Sequence, residues 1–317
     1  MLEAGPGGRR LPGGMMAVTA EPRVKVAGPS GPATRRRGRI TTAPLLLIAP
    51  SLVYLTALFA WPVVVGIGQA FVGGNGVTLS YLRRMVDDPY FWPAVRYTLL
   101  LIVVLIPLQF VFAIAMALLL RERPRFSGFH FYVWVIPLAI SDLAAGLVWL
   151  SVFTDRGYLN SALDRLGVSG YAWLSFQHKP TIFLAVVVAE LWRATSLVFV
   201  IVVAGMQNIP KDYDEAASVF GATYWQRLRH VILPQLRPSL QVAMILRTIL
   251  ALQTFAVAQA LAGRDFPVLV GETYQWYSNL QNPHVAAAIA LVVLLVSLAT
   301  SVAYLRLLRT PAGEEAR

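Results

Sequence analysis

Six long apolar stretches, at roughly 44–71, 94–120, 129–153, 181–206, 239–262 and 285–308, limit what this chain can fold into. Each is long enough to cross a hydrocarbon core of about 30 Å as a helix. Of the 317 residues 57% are hydrophobic and only 14% charged, and the mean hydropathy is +0.61. A soluble domain is roughly half apolar and about a quarter charged. In lipid, every backbone polar group must be satisfied inside its own element, so runs of this length predict helices. The expected fold is an all-α polytopic membrane protein with six transmembrane helices over 41–309. Pro50, Pro62, Pro107 and Pro137 fall inside these runs. A bundled membrane helix tolerates them because neighbours satisfy the freed carbonyls.

The basic residues give an orientation. With the N-terminus inside, 18 of the 27 Lys and Arg fall on inner segments and 7 on outer loops, while Arg193 and Arg247 lie within spans. The positive-inside bias therefore places both termini in the cytoplasm of a cell-membrane protein. Residues 1–40, rich in Gly, Pro and Arg, read as a disordered basic cytoplasmic tail, and 310–317 as a cytoplasmic C-terminal tail. Met15 and Met16 offer alternative starts. The run Arg35-Arg36-Arg37-Gly38-Arg39 directly precedes a span, which points to anionic membrane lipid rather than nucleic acid.

Several chemistries find no support in the residues. There is no cysteine, and His130, His178, His230 and His284 have no ligand spacing, so no metal site is expected. No GxxxxGK[ST] stretch occurs, so the chain cannot hold ATP in a P-loop.

Residues 207–238 form a polar, helix-forming loop between the fourth and fifth apolar stretches, on the inner side by the count above. Pro210 suits the first turn of a helix, and Asp212, Asp214 and Glu215 complement its dipole. Ala216 and Ala217 are small and allow close approach. Gly221 can end that helix in a left-handed conformation. Thr223 followed by Gln226 has the form of a capping box, so a second helix is expected through Trp225, Leu228 and Val231 to Leu233-Pro234. Two short helices joined at a glycine make a rigid elbow.

The spacing Glu215-Ala216-Ala217, three residues, Gly221, nine residues, then Val231-Ile232-Leu233-Pro234 resembles the EAA loop of ABC-importer permeases. The likeness extends over 44–308 and is strongest toward the first-type permease of the carbohydrate-uptake branch. The first span, Gly157-Tyr158-Leu159-Asn160 and Leu191-Trp192-Arg193 are similar to that branch's motifs. The resemblance implies a permease that pairs with a second permease subunit, sits on an ABC ATPase dimer holding ATP and Mg, and receives solute from an extracytoplasmic binding protein. It makes the chain a non-enzyme whose ATP hydrolysis occurs in a partner. Glu215, Ala216, Ala217, Gly221, Leu233 and Pro234 would form the ATPase-coupling element. Many members carry Asp before the glycine, where this chain has Phe220, which suggests apolar packing into the partner. After the fifth span the familiar Thr-x-Gly-Gly-Pro is replaced by Ala262-Gly263-Arg264-Asp265-Phe266-Pro267. A non-sugar ABC importer therefore stays open beside sugar uptake, with a stand-alone secondary transporter as a further alternative.

Ionisable groups inside a span cost about 2.5–3.5 kcal/mol each on insertion scales, so they face the bundle interior or water. Asp142, Glu190, Arg193 and Arg247 are such groups. Glu190 and Arg193 share a helix face and can pair. They either line a polar pathway or lock the fourth helix to a neighbour. Arg247 is expected to snorkel toward the inner surface. Trp192, Gln253 and Phe255 suit a sugar, because aromatic faces stack on C–H surfaces and an amide bonds hydroxyls.

Overall fold

The computed structural model describes residues 42–74, 76–122, 124–168 and 170–307, with side chains described from Leu47 to Arg306. The expected tails at 1–40 and 310–317 lie outside these residues. The chain divides into two units, one ending at Tyr54 and one starting at Leu55. The described part of the first is helix α1 (Thr42–Leu55) as far as Tyr54, with Pro50 inside it.

Among the described residues the regular structure of the second unit is helical apart from one two-stranded hairpin. It runs through α2 (Trp61–Gln69), β1 (Val72–Gly73), β2 (Gly76–Val77), α3 (Ser80–Val86) and α4 (Phe91–Arg121). Then come α5 (Ser127–Val135), α6 (Asp142–Phe153), α7 (Tyr158–Arg165) and α8 (Lys179–Gln207). After them follow α9 (Lys211–Val219), α10 (Tyr224–Arg227), α11 (Leu233–Leu252), α12 (Ala256–Ala262), α13 (Leu269–Tyr274) and α14 (Pro283–Leu307). Among the described residues four helical stretches are long and apolar enough to cross a membrane, or up to six if two bent pairs each count as one.

Those bent pairs correct the expectation of continuous helices over 129–153 and 239–262. The first pair bends by 103° at Ile140–Ser141, just after a 3₁₀ turn at Ile136–Ala139 that holds Pro137. Ser141 then restarts the chain as α6 by accepting the Ala144 N–H at 3.3 Å, the usual work of a serine N-cap. The second bends by 43° at Gln253–Phe255. Proline also explains two π-helical turns. Thr56–Ala60 lies just before Trp61-Pro62, and Leu228–Ile232 just before Leu233-Pro234. A proline ring clashes with the carbonyl four residues back, and a widened turn makes room for it.

Helix α8 is the axis of the unit, with 61% of its apolar window buried against 28% for α4 and 22% for α14. Pro180 in its first turn pre-sets the starting dihedral, and Pro210 follows its end. One apolar cluster gathers Ile182, Val186 and Ala189 of α8 with Leu101 and Leu105 of α4 and Val257 and Leu261 of α12. A second gathers Val198, Phe199 and Val202 of α8 with Ala113 and Ala117 of α4 and Leu236 and Ala243 of α11. A third joins Ala70, Met85, Phe91 and Trp276 to Val285 and Ile289 of α14. Small residues let these helices approach closely, as membrane bundles require. A Cβ on Gly205 would lie 2.6 Å from the Ser239 Cβ on α11 and 3.1 Å from Leu236 Cδ2.

Gly205→Leu should therefore destabilise the detergent-solubilised protein by about 1–3 kcal/mol through overpacking. Thermal unfolding measures this, and Ala204→Leu, at the adjacent exposed position, should leave the midpoint unchanged.

Candidate functional site

Between the first two apolar clusters, midway along α8, lies a layer of buried polar groups. Arg247 of α11 donates Nε–H to Gln109 Oε1 of α4 at 2.7 Å and an Nη2 hydrogen to Glu190 Oε2 of α8 at 3.1 Å. Gln109 closes the triangle by donating Nε2–H to the Glu190 carbonyl at 3.3 Å. Arg193 donates to both Glu190 carboxylate oxygens, at 3.3 and 3.4 Å, and pairs through Nη1 with Asp142 Oδ1 at 2.7 Å. The network thus carries two cations and two anions. Its exposure rises along the chain of contacts: the side chains of Glu190 and Arg247 are 1% exposed, Arg193 18% and Asp142 52%. A charge pair sealed at one end and open at the other can hold helices together. It can also present its open end to a polar solute.

The expected snorkelling of Arg247 is wrong. The residue lies 14 positions into α11, about 21 Å along the helix. That is too deep for its side chain to regain the near surface. It is fully buried and finds its partners on two neighbouring helices. Asp142, read as lying within a span, is the first residue of α6 at the break.

On the neighbouring face of α8 a cavity of ≈ 300 Å³ is lined by Trp134, Trp149 and Trp192, with Thr195 and Ser196. Trp149 and Trp192 meet edge to face at 6.0 Å between ring centroids. The Trp149 indole N–H is buried without a partner. Thr195 spends its hydroxyl on the Leu191 carbonyl of its own helix. Aromatic walls and a free indole donor suit a ligand that has both C–H faces and oxygen acceptors. Of the expected solute contacts, only Trp192 lies here. Gln253 is exposed at the α11–α12 break, and Phe255 packs on Tyr274 at 5.2 Å; neither lines this cavity.

The loop between α8 and α11 folds as two short arms. Helix α9 starts at Lys211, with Pro210 just outside it rather than in its first turn. It ends at Val219 with Phe220 as its cap, and Gly221 turns the chain with φ +79°, a conformation that favours glycine. Thr223 and Gln226 form the expected capping box: Thr223 Oγ1 accepts the Gln226 N–H at 3.4 Å and Gln226 Oε1 accepts the Thr223 N–H at 2.8 Å. Asp214 of α9 and Arg227 of α10 bridge the arms at 3.2 Å, and the Arg227 guanidinium lies 5.7 Å over the Tyr224 ring. The elbow is therefore braced across its bend. At its apex Val219, Phe220 and Trp225 stand open, Phe220 being 90% exposed. At its root Leu228 and Ile232 are buried with Ile209 and Met206 in the second apolar cluster. Glu215 and Ala216 are exposed and Ala217 half-buried on the first arm. Leu233 and Pro234 start α11. The root of the elbow is thus packed against side chains of α8 and α4.

Residues 40–310 match the family of binding-protein-dependent transport system inner membrane components. The chain belongs to this family. It is a multi-pass membrane permease. Among its relatives, the sulfoquinovosyl glycerol transport system permease SmoG of Agrobacterium fabrum is 29% identical over 84% of this chain and 90% of its own. The trehalose/maltose transport system permease MalF of Thermococcus litoralis is 30% identical over 73% and 79%. The fold matches a chain of a bacterial ABC transporter involved in the import of the acidic polysaccharide alginate, with a TM-score of 0.74 and 16% identity. That match covers 85% of this permease and 96% of that chain.

Two features of the permease escaped the sequence reading. Gln109 was not singled out, although a lone amide in an otherwise apolar run was the available signal. The Asp214–Arg227 brace joins residues 13 apart, a spacing that no single-helix rule brings together.

Glu190→Gln leaves Arg247 buried beside a neutral amide and should cost about 3–5 kcal/mol, the usual penalty for breaking a buried pair from one side. Glu190→Gln with Arg247→Met should recover more than half of that loss. Unfolding midpoints of the single and double variants in one detergent give the comparison.

Proposed function

We propose that this permease forms, with a second permease subunit, the translocation pathway of an ATP-driven sugar importer. On this reading it has six spans and both termini in the cytoplasm, with α9 and α10 as the EAA coupling element. A dimer of ABC ATPases carries ATP and Mg and hydrolyses the nucleotide; an extracytoplasmic binding protein delivers the solute. Sugar as cargo is supported by the relatives SmoG and MalF, permeases of sulfoquinovosyl glycerol and trehalose/maltose transport systems, and by the aromatic cavity at Trp134, Trp149 and Trp192.

The observation that carries the coupling role is the braced elbow with an apolar apex. An exposed Phe beside an exposed Val and Trp is costly to leave in water unless another surface covers it. Phe220 and Val219 would enter a cleft on the ATPase, with Glu215 making a polar contact alongside. Closure of the ATPases on ATP would draw the two permeases' elbows together. Because Leu228 and Ile232 are rooted in the same cluster as Val202 and Ala117, the motion reaches α8 and α4. The polar layer at Glu190, Arg193 and Asp142 would then repack around its sealed end at Arg247.

In the reconstituted importer, Glu215→Lys or Gly221→Pro should abolish solute-stimulated ATP hydrolysis and weaken ATPase recruitment, with membrane insertion unchanged. Full coupling in either variant contradicts the role given to the elbow. Trp192→Ala should weaken solute transport by roughly tenfold in apparent affinity, the scale of one lost aromatic stack of about 0.5–1.5 kcal/mol together with its buried area. Uptake assays at varied solute concentration read this directly.

A further inference from the structure

The two bent spans meet each other. A Cβ on Gly146 of α6 would lie 2.7 Å from the Ala260 Cβ, 3.2 Å from the Val257 Cα and 3.4 Å from the Ala256 carbonyl oxygen of α12. The glycine thus lets α6 and α12 lie against one another at close range. Both run antiparallel to α8. Arg193, the middle residue of α8, pairs with Asp142 at the start of α6, and Phe153 at the end of α6 joins Ile182 near the start of α8. Gly205 near the end of α8 lies against Ser239 of α11, and the Asp265 carbonyl, just past α12, accepts a hydrogen bond from Lys179 Nζ at the start of α8. The breaks at Ile140–Ser141 and Gln253–Phe255 therefore come to one level near the middle of the bundle.

What stands at that level is polar and open: Ser141, Asp142 and Gln253 are all exposed. Non-helical backbone at membrane depth is tolerated only where it is buried in protein or lines water, and an intramembrane carboxylate obeys the same rule. Asp142 is only half paired. Arg193 meets its Oδ1 at 2.7 Å, and its Oδ2 accepts no hydrogen bond among the described residues. Deeper in, Glu190 and Arg247 are each 1% exposed and cancel one another. Arg193 is 18% exposed against 52% for Asp142. The network is neutral as a whole, yet the end it shows to water is a carboxylate.

A half-paired carboxylate accepts hydroxyl hydrogens and repels a second anion. Discrimination of this kind works through the clash built against the wrong solute. We propose that Asp142 is a charge-selecting residue of the translocation pathway. It receives the hydroxyls of a neutral solute, with the Gln253 amide and the Ser141 hydroxyl at the same level, and it turns away solutes that carry a carboxylate, sulfonate or phosphate. This role rests on the six-span pathway given under the proposed function, and it narrows the cargo to neutral sugars.

Charged thiol reagents read the sign of the site without knowledge of the cargo. The chain has no cysteine, so Gln253→Cys gives the purified full-length permease a single thiol. It is treated separately with a trimethylammonium and a sulfonate methanethiosulfonate, and each rate is divided by that reagent's rate with free cysteine. For one exposed charge on a neighbouring helix roughly 9 Å away, acting through water, the cationic reagent should be favoured about fivefold. Adding Asp142→Asn should bring the ratio to about one, and adding Asp142→Glu should keep it. Asp155→Asn, at an exposed position elsewhere, should leave it unchanged. A ratio of one or less in Gln253→Cys itself overturns the proposal, as does an unchanged ratio with Asp142→Asn. Failure of either reagent to react, under conditions where Val219→Cys reacts, shows a site closed to water and equally overturns it. Solute-stimulated ATP hydrolysis by the assembled importer is read separately. Its absence beside a fivefold cation preference defeats the transport reading alone, and its presence beside a ratio of one defeats only the charge filter.

Discussion

An arginine side chain does not give up its proton inside a protein, so Arg247 must carry its charge into the middle of an apolar bundle. Glu190 on α8 and Gln109 on α4 meet it there. That one requirement brings α4, α8 and α11 to a common level and fixes their register. The apolar clusters above and below fill the space that the triangle leaves. The same carboxylate also receives Arg193, which reaches outward to Asp142 at the restart of α6. A group of four charged side chains thus links the most sealed part of the permease to its most broken helix pair. Removing one member strands its partner.

The elbow follows a different logic. Its stability is local: a capping box, a left-handed glycine and one ion pair across the bend. It needs little from the bundle to hold its shape, yet Leu228 and Ile232 tie it into the packed helices. A stiff, self-supporting lever with an apolar tip is the kind of part through which one protein can move another.

The sequence was legible where the physics is short-range. Apolar run length located the long helices, and the i to i+3 pattern of Thr223 and Gln226 gave the cap that the structure contains. Gly221 was read as left-handed and is. The breaks at Ile140–Ser141 and at Gln253–Phe255 were missed because whether a helix bends inside a bundle depends on neighbours that a single sequence does not reveal. Arg247 was misread for the same reason: its partners lie 57 and 138 residues away. Trp192 was found by its chemistry, but Trp134 and Trp149 join it only once α5, α6 and α8 are packed together.

The chain contains no cysteine, so one introduced at the apex reports without background. Val219→Cys, at a position 84% exposed, can be labelled with a membrane-impermeant maleimide in vesicles of each orientation, with and without the ATPase partner. The mechanical account predicts labelling in inside-out vesicles alone, suppressed when the ATPase is bound. Labelling from the outer face, or labelling from the inner face that the ATPase leaves unchanged, would contradict it.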